Sequence, residues 1–259
     1  MNTSLVVDQA LRASYSIPMC LPFHRNNNFT GRGRELAEIH EVLYSADATT
    51  PQRRVVLHGL GGIGKTQLAI QYAYIHQKDY TSVWWVNAST TQTTSEGFLG
   101  IAQQLLSHHT QRTIAGLKPD STSIAAGLGL PPGAVNSDGE LNTSGDISRI
   151  VEAIKSWFAA EDNNRWLLIF DNYDDLENTN IFDFLHPSSL GSVIITSRSR
   201  ETCRIGKEFE VQEVTEEEAL EILRKSTYRD MASFQKGTYT LTASKCFWTP
   251  KSLTEPELG

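Results

Sequence analysis

The sequence predicts an α/β fold: a parallel sheet with helices on both faces, stacked in three layers. Three observations predict it. Short, largely apolar runs occur at residues 55–57, 83–86, 166–170 and 192–196, as expected for strands covered on both sides. Segments with helical apolar spacing separate these runs. A glycine-rich turn joins the first run to the first of the following helices. Strands that alternate with helices favour parallel pairing through right-handed crossovers.

Taken in order, residues 1–28 have no periodicity and read as a flexible leader. Leu36, Ile39 and Leu43 set a short amphipathic helix over 35–44. Val55, Val56 and Leu57 form the first strand, and a helix follows over about 65–77. Val83-Trp84-Trp85-Val86 is the second strand. Phe98, Ile101, Ala102 and Leu105 mark a helix over 96–107. Residues 108–146 are rich in Ser, Thr, Gly, Pro and Asp and read as a disordered insertion. Ile147, Ile150, Val151, Ile154, Trp157 and Phe158 trace a helix stripe over 147–160. Residues 166–170 and 192–196 are strands, and Phe209 and Val211 mark a short last one. Thr215 and Glu218 stand at capping-box spacing before a helix carrying Leu220 and Leu223. Residues 227–259 read as an irregular tail.

Composition narrows the function classes. The 259 residues are 39% hydrophobic and 20% charged, which is ordinary for a globular chain with a sizeable core. The formal charge of −7 argues against a nucleic-acid partner, which needs a basic footprint. Cys20, Cys203 and Cys246 are three and far apart, so neither a disulfide framework nor a zinc motif is expected. No apolar stretch reaches the length of a signal peptide core or a membrane span. The expected location is cytoplasmic, with no membrane partner.

Chemistry concentrates in the glycine-rich turn. Gly59, Leu60, Gly61, Gly62, Ile63, Gly64, Lys65 and Thr66 fit the pattern G-x-x-x-x-G-K-[ST]. Such a loop curls its backbone N–H groups around a phosphate, and side chains would block that curl. The following helix aims its positive end at the same anion. Lys65 is expected on the β- and γ-phosphates and the Thr66 hydroxyl on Mg²⁺. The alternative is a glycine-rich turn with an accidental Lys-Thr pair, but the strand before it and the helix after it favour the phosphate reading.

Asp171 ends the apolar run 167–170, where open α/β sheets bind ligands, and is the second expected Mg²⁺ ligand. The next residue is Asn172. Many ATPases carry there a carboxylate that activates water, and an amide cannot do this at neutral pH. Asp174 and Asp175 are the neighbouring candidates for that catalytic place; their alternative role is to cap the next helix. Hydrolysis is expected to be slow or absent. Arg198 closes the strand Val193-Ile194-Ile195-Thr196-Ser197. Beside the loop strand it would read the γ-phosphate; with Arg200 and Arg204 nearby, a solvated surface arginine is the alternative.

Together these residues resemble the NB-ARC family of STAND P-loop NTPases, in its fungal NOD-like receptor form. The resemblance rests on residues 59–69, on Leu167-Leu-Ile-Phe-Asp-Asn-Tyr-Asp-Asp175, on residues 191–198 and on residues 83–88. It extends upstream to Phe29-Thr-Gly31-Arg32-x-x-Glu35, although Gly33 stands where the family often has Glu. It implies a P-loop NTPase sandwich with five parallel strands over residues 29–226, the loop strand lying next to the strand before Arg198. It implies bound ADP at rest and ATP when active, with self-association as output, and a signalling role in innate immunity. It assigns Phe29, Gly31 and Arg32 to the adenine side and Gln67 to the phosphate side. The family's G-L-P-L and M-H-D segments are not found, so the chain is expected to be a truncated form. Two rival readings stand beside the switch: an AAA-like ATPase with steady turnover, and a non-functional remnant.

Overall fold

The computed structural model describes residues 15–19, 21–44, 52–111, 120–136, 138–142, 145–187 and 190–227. In chain order the elements are α1 (Gly33–Leu43), β1 (Arg53–His58), α2 (Lys65–His76), β2 (Ser82–Asn87), α3 (Thr91–Gln111) and α4 (Ser121–Gly127). They continue with α5 (Ile147–Phe158), β3 (Trp166–Asp171), β4 (Ser192–Ser197), β5 (Lys207–Glu210) and α6 (Glu216–Thr227). A 3₁₀ segment, Arg200–Ile205, links β4 to β5.

The five strands form one sheet in the order β2-β3-β4-β1-β5, every pair parallel. Alternate strand residues therefore feed two separate cores. Val55, Leu57, Ile169 and Ile194 pack with Leu36 and Ile39 of α1 and Leu68 and Tyr72 of α2. Val56, Leu168, Phe170 and Ile195 pack with Phe98 and Leu105 of α3 and Ile154 and Phe158 of α5. The three layers follow from this period of two, since a residue and its successor face opposite helices. The register pairs His58 with Ser197 and Asn87 with Asp171, so the strands end along one rim.

Three segments differ from the sequence expectation. The helix expected over 96–107 starts at Thr91. Its first turn has no apolar stripe and is set instead by hydroxyls: Thr90 N–H donates to Thr93 Oγ1, and Thr93 N–H to Thr90 Oγ1, both at 3.1 Å. The 108–146 segment, expected to be disordered, carries α4, capped by Asp120, which accepts the Ser123 N–H at 2.9 Å. Among its described residues, Ile124, Ala125, Leu128, Leu130 and Ala134 are buried in the α3–α5 core, and Val135 and Leu141 pack against it, so composition underrated a segment with few but well-placed apolar side chains. Part of the expected leader also packs: Ile17 is buried, and its N–H donates to Thr81 O at 2.9 Å. The tail beyond residue 227 lies outside the described residues. No described helix is long and apolar enough to cross a membrane.

Candidate functional site

The loop between β1 and α2 lies at the rim of the sheet. Gly59, Gly62 and Gly64 have φ of +141°, +79° and +102°, values that L side chains resist. A Cβ on Gly59 would stand 2.8 Å from the Val211 carbonyl oxygen, so the chain leaving β5 also demands glycine there. Gly64 precedes α2 and no side chain caps that helix. The first-turn N–H groups of Lys65, Thr66 and Gln67 therefore face the loop without carbonyl partners from their own helix. The Lys65 ammonium donates to Gly59 O and Leu60 O, each at 2.8 Å. Burial pulls its pKa below the usual lysine range; the charge of Asp174 opposes this, Arg198 adds to it, and Asp171 opposes it again.

Three elements converge on Asp171. Thr66 Oγ1 donates to Asp171 Oδ1 at 2.8 Å, and Thr196 Oγ1 donates to the same oxygen at 2.6 Å. Thr196 Oγ1 in turn accepts the Asn172 N–H at 2.9 Å. The carboxylate is thus fixed from α2 and β4 together. A hydroxyl and a carboxylate sharing one point, beside a glycine cradle, are the hard oxygen donors that Mg²⁺ takes with phosphate oxygens and water. Asn172 (φ +65°) and Arg32 (φ +57°) are the non-glycine residues in the left-handed region among the described residues, and both border this site, where such backbone is most often kept.

Arg198 lies against the loop: a Cβ on Gly61 would meet its Cδ at 3.6 Å. Its backbone N–H and its Nε donate to the two oxygens of Asp174, each at 2.6 Å, and Ser197 Oγ donates to Asp174 Oδ1 at 3.2 Å. Burial works against the charged form of Asp174, but the Arg198 N–H, the guanidinium and the Ser197 hydroxyl outweigh it and hold the carboxyl below its usual range. Asp175 accepts from the N–H and side-chain amide of Asn178 at 3.2 and 3.0 Å. Asp174, a candidate for the catalytic carboxylate, is thus the partner of Arg198, and Asp175, the other candidate, caps a turn. The left-handed Asn172 turns the chain toward the end of β4, where Asp174 meets Arg198.

On the far side of the loop, Arg32 is buried and donates through Nη2 to Gln212 O at 2.6 Å and Ile63 O at 3.4 Å. Gly31 has φ +74°, and a Cβ there would collide with the Glu218 carboxylate. Glu218 belongs to the capping box of α6, taking the Thr215 N–H at 2.9 Å, so the first turn of α6 seats against the 31–32 turn. Phe29 packs, partly buried, on the α1–α2 core. The side-chain oxygen of Gln67, in the first turn of α2, accepts from Asn26 Nδ2 at 3.3 Å. Beyond Asp171 a cleft of about 540 Å³ opens at the ends of β2 and β3, lined by Phe23, Trp85, Asn87, Glu96, Asp171 and Asn172. Thr196, Gln212 and Glu96 were not singled out as site residues by the sequence, and Glu218 was marked only as the partner of Thr215 in a capping box. No local pattern marks Gln212 or Glu96, whereas a hydroxyl two residues before Arg198 on the sensor strand was a usable sign for Thr196.

A protein-family model for the AAA ATPase domain matches residues 28–189. The chain belongs to the AAA ATPase domain family. As an AAA ATPase domain it is a P-loop NTPase, and nucleotide binding is what its loop implies. Among curated proteins it is 24% identical over 241 residues to a nucleotide-binding leucine-rich repeat (NLR)-like protein of Hyaloscypha variabilis. That match covers 86% of this chain and 21% of the relative, so the chain spans about a fifth of the relative's length. Among solved structures it aligns with the crystal structure of Cdc6p from Pyrobaculum aerophilum at 11% identity and a TM-score of 0.45, covering 79% of this chain and 51% of that one.

Proposed function

We propose that this AAA-family domain is an ADP/ATP-binding switch of the NOD-like receptor, NB-ARC type, with slow or no hydrolysis. The observation that carries the reading is the joint hold of Thr66 and Thr196 on Asp171 at 2.8 and 2.6 Å, with Arg198 beside the same loop. In this reading the loop N–H groups and Lys65 hold the phosphates. Thr66 and Asp171 hold Mg²⁺, which supplies positive charge between the phosphate oxygens. Arg198 keeps its Nη groups for a γ-phosphate, because Asp174 engages only its backbone N–H and Nε. The turn at 29–32 and the start of α6 border the base. The NLR-like name of the fungal relative supports a switch rather than a motor, and self-association on ATP binding and a role in immune signalling belong to the same proposal.

Weak hydrolysis follows from the absence of a free carboxylate next to Asp171: Asn172 is an amide, and Asp174 and Asp175 are engaged. One observation favours the rival with steady turnover. Glu96 lines the same cleft as Asp171; one of its oxygens accepts from the Gln92 amide at 2.9 Å, and the other could take a proton from a water there. Denaturing the purified protein and identifying the released nucleotide by chromatography, with a phosphate-release assay beside it, separates the readings. Near-equimolar ADP with negligible turnover supports the switch. Sustained phosphate release that Glu96→Gln destroys supports the ATPase, and a protein that neither carries nor binds nucleotide rejects both.

A further inference from the structure

We propose that His58, Cys203 and Glu208 form a zinc-class metal site at the root of the phosphate loop. The three side chains come from three elements: the last residue of β1, the 3₁₀ segment after β4, and β5. Their donor atoms all lie within 4.8 Å of one another. His58 immediately precedes Gly59, and its side chain is only 4% exposed. Its Nε2 stands 2.8 Å from Glu208 Oε1 but makes no aligned hydrogen bond. This buried imidazole nitrogen is left without a hydrogen-bond partner although a carboxylate and a thiol lie within reach, and an ion held among the three would satisfy it.

The donor set selects the metal class. One imidazole nitrogen, one thiolate and one carboxylate oxygen are the mixed ligands of Zn²⁺, whose three-ligand sites leave a fourth position for water. Tetrahedral bonds of the usual lengths put such donors roughly 3.3–3.6 Å apart. The His58–Glu208 contact must therefore open by about half an ångström, which Glu208, at 39% exposure, can allow. Cys203 and Glu208 are both reachable from solvent, which gives the ion an entry path. Arg200 opposes the ion, its Nε lying 3.1 Å from Glu208 Oε1, but that side chain is 80% exposed and free to swing away. The second cluster of metal-binding residue types, His40, His76 and Asp79, is as close-set but its donors are less available. Its two imidazoles stack at 3.8 Å and 15°, so their in-plane lone pairs run side by side, and His76 Nδ1 is already bonded to Asp79. A metal on the first cluster would tie β5 and the 3₁₀ segment to the residue that opens the phosphate loop, independently of any nucleotide.

The test is titration of metal-free protein with Co²⁺ and Zn²⁺. One equivalent of Co²⁺ should produce a near-ultraviolet thiolate-to-cobalt band, and Zn²⁺ should displace it. Cys203→Ser should abolish the band, and Glu208→Gln should weaken Zn²⁺ binding at least tenfold, both variants keeping the wild-type circular dichroism spectrum. Absence of the band in the wild-type protein overturns the proposal. So does a band that survives Cys203→Ser, which would place the thiolate at Cys20 or Cys246, or Zn²⁺ binding that Glu208→Gln leaves unchanged.

Discussion

Replacing Asp174 by Asn tests whether Arg198 is set up to read a third phosphate. Asp174 takes the Arg198 backbone N–H and Nε at 2.6 Å each. In Asp174→Asn the amide oxygen can still accept the backbone N–H, but its NH₂ group meets Nε donor to donor. The loss is one hydrogen bond to a charged group, about 1.5–3 kcal/mol in a sheltered setting. The Arg198 side chain is 64% exposed, and solvent screening brings this toward about 1 kcal/mol. ATP affinity should therefore fall roughly fivefold, while ADP affinity, which does not use Arg198, stays within twofold. Isothermal titration calorimetry with both nucleotides reads the ratio directly. Arg198→Ala should give a loss of the same kind, and the double variant should lose little more than either alone. Equal losses for ADP and ATP would point to a fold defect, and no loss for either would refute the positioning argument.

Four further outcomes follow from the same geometry. Thr196→Val keeps the shape but leaves the Asn172 N–H and Asp171 short of a partner at a site that is 1% exposed; urea unfolding should show a loss of about 1–3 kcal/mol, and a change under 0.5 kcal/mol would contradict the bonding described. Gly59→Ala forces a Cβ to 2.8 Å from Val211 O at φ +141°, so nucleotide binding should be lost along with about 1–3 kcal/mol of stability; normal titration curves would count against the loop geometry. Glu96→Gln should leave ADP binding unchanged and, if the chain turns over ATP at all, abolish phosphate release; turnover at the wild-type rate would remove Glu96 from the chemistry. Asp174 has a carboxyl held below its usual range, so its stabilisation is complete above the unfolded carboxyl value, near pH 4, and disappears as the pH falls through the lower folded value. Acid unfolding of Asp174→Asn should thus begin from a lower stability and run less steeply below about pH 4, and identical acid limbs would refute the assignment.

The parts of the fold that were legible were those where one residue type has one physical explanation. Val55–Leu57 and Leu167–Phe170 read as strands because burial on both faces leaves no room for polar alternation. The loop read as a phosphate cradle because Gly59, Gly62 and Gly64 occupy backbone that other residues avoid. The Thr215–Glu218 cap was visible as spacing and is present as reciprocal bonds. What escaped was of two kinds. Thr90 and Thr93 start α3 through hydroxyl bonds, and Ile124, Leu128 and Leu130 are too sparse for a periodicity to register. The pairing of Asp174 with Arg198 spans 24 residues and depends on a left-handed Asn172, which no local pattern announces. Asp174 therefore read only as a catalytic candidate, and its bond to the arginine went unseen.

The central claim is that the loop at residues 59–66, with Lys65 and Asp171, grips a Mg²⁺-bound nucleotide diphosphate. Calorimetric titration of ADP in the presence of Mg²⁺ into the wild-type protein, Lys65→Ala and Asp171→Asn tests it most directly. The account predicts one site in the wild-type protein, at least a hundredfold loss in Lys65→Ala, and a loss in Asp171→Asn that largely vanishes when Mg²⁺ is withheld. Unchanged ADP affinity in Lys65→Ala, with the variant folded, would contradict it.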